Sequence, residues 1–262
     1  MQPGRRAMRL IVTRPAAQAT PWVAALQALG LDAQALPLIA IAPPHDLAPV
    51  RAAWQTLDAL TLVMFVSANA VEQFFAARPA GAEWPEALLA GSTGPGTSAA
   101  LRAVGVQLIE EPAADVLQFD TEALWARLAT RRWQGAQVMV VRGEGGRDWL
   151  ADTLRAHGAE VAFLAAYRRL PPALDAAARA LLAVAHAKPE QHLWLFSSSE
   201  AVGHLQRLSI AGDWSAAQAF ASHPRIAQAV RQAGFGRVTL VAPTPQAVAQ
   251  QLRLAGPGAT AP

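Results

Sequence analysis

The chain contains one pattern twice. Leu10-Ile11-Val12-Thr13-Arg14-Pro15, followed by a helical run to Gly30, returns as Val138-Met139-Val140-Val141-Arg142-Gly143, followed by a helical run to Gly158. Phe65-Val66-Ser67-Ala68-Asn69-Ala70-Val71 returns as Phe196-Ser197-Ser198-Ser199-Glu200-Ala201-Val202. Gly94-Pro95-Gly96-Thr97 with Ala100, Arg102 and Gly105 returns as His223-Pro224-Arg225-Ile226 with Ala229, Arg231 and Gly234. The offsets are 128 residues from Leu10 to Val138, 131 from Phe65 to Phe196 and 129 from Gly94 to His223. A period this long marks a duplicated domain and not a solenoid. Two similar domains on one chain predict a cleft, and clefts between domains are where ligands bind.

Size and composition agree. At 262 residues and 53% apolar content the chain can build two cores. It has no cysteine, which excludes disulfides, thiolate catalysis, zinc-thiolate and iron–sulfur sites and agrees with a cytoplasmic location. The segment Met1 to Arg9 lacks the apolar core and cleavage site of a signal peptide, and either Met1 or Met8 can be the start. No apolar run is long enough to predict a membrane span. The net charge is +3, and Lys188 is the sole lysine. The basic residues are scattered, without a stripe of cations and interleaved aromatics, so nucleic acid is not the expected partner. Arginine grips carboxylates with a planar fork, which points to an anionic small molecule instead.

Short apolar runs alternate with Ala-rich helical ones. The expected strands are Leu10–Thr13, Ala33–Leu36, Leu62–Val66, Ala87–Ala90, Val106–Ile109, Val138–Val141, Val161–Leu164, Leu193–Phe196, Gln218–Ala221 and Val238–Val241. Helices are expected between them, among them Pro21–Leu29, Ala70–Ala76, Ser98–Val104, Asp148–His157, Ala176–Ala187 and Pro224–Ala233. This alternation means βαβ units: an α/β fold of two parallel-sheet domains, each flavodoxin-like with strand order 2-1-3-4-5. Leu36-Pro37-Leu38 and Arg169-Leu170-Pro171-Pro172 are Pro-marked, extended and follow the second strand of each repeat. They predict a discontinuous first domain, 1–37 with 171–262, and a second of 38–170, instead of a division near Thr130. The tail Gly256–Pro262 reads as disordered.

Ligands of open parallel sheets bind beyond the carboxyl ends of the strands. The loops there are of one kind. They hold Thr13-Arg14, then Ser67 and Asn69, then Gly94, Pro95 and Thr97. In the second repeat they hold Arg142, Gly143, Gly146 and Arg147, then Ser197-Ser198-Ser199, then Pro224-Arg225, and lastly Thr244. Each is expected to open a helix. Ser and Thr can cap the first free N–H groups, Pro is favoured at the first helical position, and the positive helix end attracts anions. Plain capping would account for any one loop. The whole set, with Arg at several, points to a ligand with many carboxylates or phosphates, and these residues are the candidate substrate contacts.

Cofactor motifs are absent: Gly143-Glu144-Gly145-Gly146 lacks dinucleotide-binding spacing, and no Walker lysine is present. The histidines are scattered without ligand spacing, so neither a metal nor a cofactor is expected. Tyr167, the only tyrosine, falls between the strand Val161–Leu164 and Arg168-Arg169. On this reading it sits in the return linker overlooking the cleft, as a candidate general acid or as a packing residue.

Taken together, Val12-Thr13-Arg14-Pro15, the Phe65–Val71 block, Gly94-Pro95-Gly96-Thr97, Val141–Arg147, Tyr167-Arg168-Arg169, the Phe196–Val202 block and His223-Pro224-Arg225-Ile226 resemble the uroporphyrinogen-III synthase family from residue 8 to about 253. The resemblance implies two flavodoxin-like domains joined by a two-stranded linker, and a monomer. It implies a cofactor-independent lyase of porphyrin and heme biosynthesis. Its substrate would be hydroxymethylbilane, a linear tetrapyrrole rich in carboxylates. Loss of water and ring closure through a spiro intermediate would invert the last pyrrole ring and give uroporphyrinogen III. The family's linker tyrosine maps to Tyr167 as the acid for hydroxyl departure. The resemblance allows a transient contact with the preceding pathway enzyme. Ala68 and Val66 depart from the Pro and Thr that many members carry. Without the resemblance, the residues fit equally a hinged two-domain binding protein for a polyanionic small molecule; a nucleotide-sugar or phosphoribosyl transferase would need an acidic or Gly-rich nucleotide motif.

Overall fold

The structure is a computed structural model that describes residues 8–113, 116, 119–208 and 213–254. Met1 and the tail Gly256–Pro262 lie outside the described residues, as do four positions between Ala113 and Phe119. The chain divides into two compact units, Met1–Ala40 with Leu170–Pro262, and Ile41–Arg169.

In chain order the first elements are β1 (Arg9–Val12), α1 (Ala16–Ala28), β2 (Ala33–Ala35), β3 (Ala40–Ala42), α2 (Ala48–Ala53), β4 (Leu62–Phe65), α3 (Ala68–Ala76), β5 (Leu89–Ser92), α4 (Pro95–Ala103) and β6 (Ile109–Glu110). Then follow α5 (Thr121–Leu128), β7 (Gln137–Gly143), α6 (Trp149–Ala156), β8 (Glu160–Leu170), α7 (Ala176–Ala187), β9 (His192–Phe196), α8 (Ser199–Arg207), β10 (Gln218–Ala221), α9 (Pro224–Gln232), β11 (Arg237–Leu240) and α10 (Pro245–Leu254).

One sheet has the order β11-β10-β9-β1-β2 and the other β3-β8-β7-β4-β5-β6. All pairings from β11 to β2 are parallel, and so are those from β8 to β6. Numbered within the repeats, both sheets read 2-1-3-4-5, the flavodoxin-like order expected from the alternation of strands and helices. The repeats have exchanged parts. β1 and β2 of the first repeat pair into a sheet with β9, β10 and β11 of the second, while β7 and β8 of the second join β4, β5 and β6 of the first. The short β3 is added at the β8 edge.

Both faces of each sheet are covered, so the central strands are apolar without alternation. In β4 the period of two still sorts the side chains. Val63 and Phe65 pack with Phe74 of α3 and Leu101 of α4, whereas Leu62 and Met64 pack with Leu124 of α5 and Leu154 of α6. In the other sheet, Leu10, Leu193, Leu195 and Phe220 meet Leu26 of α1 and Val248 of α10. On the same sheet Trp194 stacks on Phe196 at 5.9 Å and meets the edge of Trp214 at 5.5 Å.

Several boundaries differ from the sequence reading. α1 starts at Ala16, not Pro21, and carries Pro21 inside it. β5 runs through Gly91 and Ser92, where a Gly suggests a loop. A Cβ on Gly91 would lie 2.9 Å from the Met64 sulfur, so the glycine serves packing and not a turn. Val106 is part of the α4 exit and not of a strand: its N–H donates to the carbonyl of Leu101 across Gly105, whose φ is +90°. β8 extends to Leu170, so Tyr167, Arg168 and Arg169 are strand residues.

Candidate active site

In the first unit, β11, β10, β9 and β1 lie side by side in parallel. Their carboxyl ends, and the starts of α10, α9, α8 and α1 that follow, therefore share one rim. After β1, Thr13 is 1% exposed and its hydroxyl donates to the Leu195 carbonyl at 2.8 Å, tying β1 to β9. Arg14 stands next to it. Its guanidinium carbon is 4.1 Å from the Trp22 ring centroid, and Nη1 makes a long bond of 3.4 Å to Gln18 Oε1. Its buried Nε has no hydrogen-bond partner. No carboxylate among the described residues pairs with it, and burial lowers its pKa to about 10. It remains a cation at neutral pH.

The rest of this rim is built from helix caps. Ser198 accepts from the Glu200 N–H at 3.2 Å, with Ser197 half-buried before it and Ser199 exposed as the first residue of α8. His223 Nδ1 accepts from the Arg225 N–H at 3.1 Å, leaving Pro224 and Arg225 exposed in the first turn of α9. Thr244 accepts from the Ala247 N–H at 3.2 Å and caps α10. α1 has no side-chain cap.

In the second unit, Ser67 caps α3, its Oγ accepting from the Ala70 N–H at 3.2 Å, and Asn69 is buried in the first turn. Gly94 caps α4 without a side chain, and Pro95 takes the first helical position. Ser98 Oγ donates to Ser92 Oγ at 2.8 Å, and Ser92 Oγ donates to the Gly94 carbonyl at 2.9 Å. Thr97 is buried.

The loop Arg142–Arg147 differs from the expectation that every site loop opens a helix. Arg142 and Gly143 still belong to β7, and α6 begins only at Trp149. Gly145 and Gly146 have φ of +84° and +153°, which makes the turn between them a glycine turn. Arg142 is ion-paired to Asp148 and lies over the Phe163 ring at 4.2 Å. Arg147 pairs with Glu122 at 2.8 Å. Both cations are thus already matched by carboxylates.

Tyr167 corrects a placement. It lies within β8, which runs to the boundary between the units after Arg169, and it is 2% exposed among Phe65, Val141 and Ala166. The loop-like segment expected there is thus a strand, and the ring packs in the core of the second unit. Its partner in β7 is Gly143, at a register shift between Arg142 and Gly143. A Cβ on Gly143 would stand 3.0 Å from two atoms of the phenol ring, so a larger residue there would press on the ring. The phenol oxygen lies 3.1 Å from Ser67 Oγ.

The supporting residues Trp22, Phe163 and Ser98 carry no local sequence signal for this role, whereas Ser92 belongs to the loop of small and hydroxylic residues expected after the strand Ala87–Ala90. A shallow cavity of about 200 Å³ in the first unit is lined by Met8, Leu193, Gln218 and Arg237. These lie at the amino ends of their strands, opposite the rim where such folds bind ligands. Among the described residues, no group of three or more His, Asp or Glu could hold a metal ion, and no helix is long and apolar enough to cross a membrane.

A family model described as Uroporphyrinogen-III synthase HemD matches residues 20–250. The chain belongs to the uroporphyrinogen-III synthase family. Curated family enzymes of tetrapyrrole synthesis are similar over much of its length. The chain is 32% identical to uroporphyrinogen-III synthase of Salmonella typhimurium over 175 residues, 66% of this chain and 70% of that protein. It is 30% identical to the Escherichia coli enzyme over 177 residues, again 66% and 70%. The fold resembles a crystal structure of mutant uroporphyrinogen III synthase from Thermus thermophilus, with TM-score 0.58, 17% identity, and coverage of 95% of this chain and 98% of that one.

Proposed function

We propose that this uroporphyrinogen-III synthase family member converts hydroxymethylbilane to uroporphyrinogen III as a cofactor-independent lyase, acting as a monomer in the cytoplasm. The observation that carries the polyanion reading is Arg14. A guanidinium without a carboxylate partner among the described residues, taken largely out of water and set at the carboxyl rim of a parallel sheet, is a receptor for a ligand's carboxylate. Ser197, Ser198, Ser199 and Thr244 offer hydroxyls and helix-start N–H groups on the same rim, with Pro224 and the Arg225 side chain at the start of α9. Ser67, Asn69, Gly94 and Thr97, with Pro95 at the first helical position, form the corresponding helix starts in the second unit. The loop with Arg142, Gly143, Gly146 and Arg147 adds cations whose charge is shared with Asp148 and Glu122.

The chemistry asked of the protein is modest. The pyrrole nitrogen lone pair pushes the hydroxyl out once a proton reaches it, and Tyr167 is the source of that proton. Holding the chain of pyrroles in the geometry that closes on the inverted ring is a positioning task, which converts a floppy reaction into an oriented one. The domains take the discontinuous arrangement 1–37 with 171–262 and 38–170.

The test is direct. Purified protein is given hydroxymethylbilane, and the products, after oxidation, are separated into type I and type III isomers. Predominantly type III product supports the function. A type I product at the rate seen without protein, with tight binding of the tetrapyrrole, would instead favour a hinged binding protein for polyanions.

A further inference from the structure

We infer that the proton for hydroxyl departure is delivered by Ser67 and that Tyr167 replenishes it, so that the two hydroxyls form a relay. This rests on the reading of the protein as acting on hydroxymethylbilane.

Burial decides which of the two hydroxyls meets a ligand. Tyr167 is 2% exposed and its ring is enclosed by Gly143 and the core around Phe65 and Val141. Ser67 is half-buried at the end of β4, on the rim where α3 starts. The phenol's 3.1 Å bond runs to Ser67 Oγ.

Counting donors and acceptors gives the direction. A serine hydroxyl has two lone pairs and one hydrogen. One lone pair takes the Ala70 N–H at 3.2 Å. The phenol O–H, donating, fills the second. The serine hydrogen is then the only valence left, and it points away from both partners. With the bond reversed, the phenol's own hydrogen, buried in the core, would have no acceptor among the described residues. The structure therefore favours the order phenol, serine, substrate.

The step balances. The C–O bond of the hydroxymethyl group breaks as its oxygen takes the Ser67 proton, and water leaves with the bonding pair. Ser67 takes the phenol proton, leaving a phenolate and an azafulvenium cation. The bridge-bearing carbon of the last pyrrole attacks the azafulvenium methylene to give the spiro intermediate, and its old bridge bond breaks. The ring's free alpha carbon then captures the freed bridge methylene and loses one proton, which returns through Ser67 to the phenolate. No oxidant, reductant or metal is consumed. Ser67 is then a catalytic residue, and the start of α3, positive by its free N–H groups, stabilises the transient negative charge.

The experiment compares wild type, Ser67→Ala, Ser67→Asn, Tyr167→Phe and the Ser67→Ala/Tyr167→Phe double variant in single turnovers with hydroxymethylbilane. Asparagine keeps the helix cap but passes no proton. The relay predicts that Ser67→Ala and Ser67→Asn slow turnover as much as Tyr167→Phe does, with KM little changed, and that the double variant is no slower than either single one. It also predicts a curved dependence of the wild-type rate on deuterium fraction, from two protons moving together. Near-wild-type rates in Ser67→Asn would reduce Ser67 to a cap. Slow Tyr167→Phe beside fast Ser67→Ala would show that the phenol acts directly, and a linear deuterium dependence would contradict the relay even if the variants fold poorly. Failure of the functional reading looks different: wild type itself would then leave hydroxymethylbilane to its unaided conversion.

Discussion

The guanidinium of Arg14 lies over the indole of Trp22 at 4.1 Å, a cation held by an aromatic face where an acidic partner would be ordinary. The pairing keeps the charge in place while leaving its hydrogen-bonding edge unmatched by a carboxylate. Arg14→Met preserves the apolar stem and removes the charge. Binding of a polycarboxylate porphyrin such as uroporphyrin III should weaken by about tenfold to a hundredfold, the worth of one or two charged hydrogen bonds. The unliganded melting temperature should not fall, because an unpaired and desolvated cation costs stability. Titration calorimetry and a thermal melt on one sample read both. Unchanged affinity would remove Arg14 from the site.

Ser198→Ala and Thr244→Ala should act differently. Each loses a helix cap, at about 1 kcal/mol of stability, and weakens porphyrin binding only a few-fold. A complete loss of binding from either change, with folding intact, would show that the charge is read at a single focus.

Much of this arrangement is legible in the sequence, for physical reasons. The central strands are short, apolar and bounded by turn residues, so β4, β9 and β10 fall within a residue of their expected limits. The repeat carries the topology, because each half supplies complementary strands to each sheet. What could not be read depends on contacts between distant residues. β8 continues through Tyr167-Arg168-Arg169, a polar run before two prolines, because Arg168 is held by the Pro43 carbonyl at 3.0 Å and by His45. β3 is only Ala40-Ile41-Ala42, too short to show a period. The bond between Ser67 and Tyr167 joins residues a hundred positions apart, and no local pattern announces it. The ion pairs of Arg142 and Arg147 likewise distinguish matched cations from the unmatched Arg14 only in three dimensions.

Gly143 gives a stability prediction tied to the site. Its missing side chain is what lets the phenol ring of Tyr167 lie against β7. Gly143→Ala should cost about 1–3 kcal/mol by overpacking, and it should displace the phenol from Ser67 and slow turnover. Denaturant titration alongside isomer-resolved kinetics checks it. Wild-type stability and rate in this variant would mean that the ring moves aside freely.

Glu122 gives the pH dependence. Burial raises its pKa, but hydrogen bonds from Thr121, its own backbone and Arg147, with the charge of Arg147, outweigh that and leave it below the ordinary carboxylate value. A depressed folded pKa gives stability that is full above the unfolded value, near 4.3, and is lost as pH falls through the folded one. The pair is exposed, so the effect is small. The melting-temperature advantage of wild type over Glu122→Gln should be constant at neutral pH and shrink as the pH falls below the ordinary carboxylate value of about 4.3 and through the lowered folded one. An advantage that grows on acidification would have the wrong sign.

The central claim separates two tasks: hydroxyls supply a proton, and the shape of the protein chooses the isomer. Isomer-resolved kinetics of Tyr167→Phe test this most directly. Removal of a positioned acid costs about 10²–10⁴-fold in general. Because the pyrrole already drives the hydroxyl out, turnover should fall by about tenfold to a thousandfold, within or just below that range, while the product stays mainly type III. Unchanged turnover, or slow turnover giving mostly type I, would contradict the account.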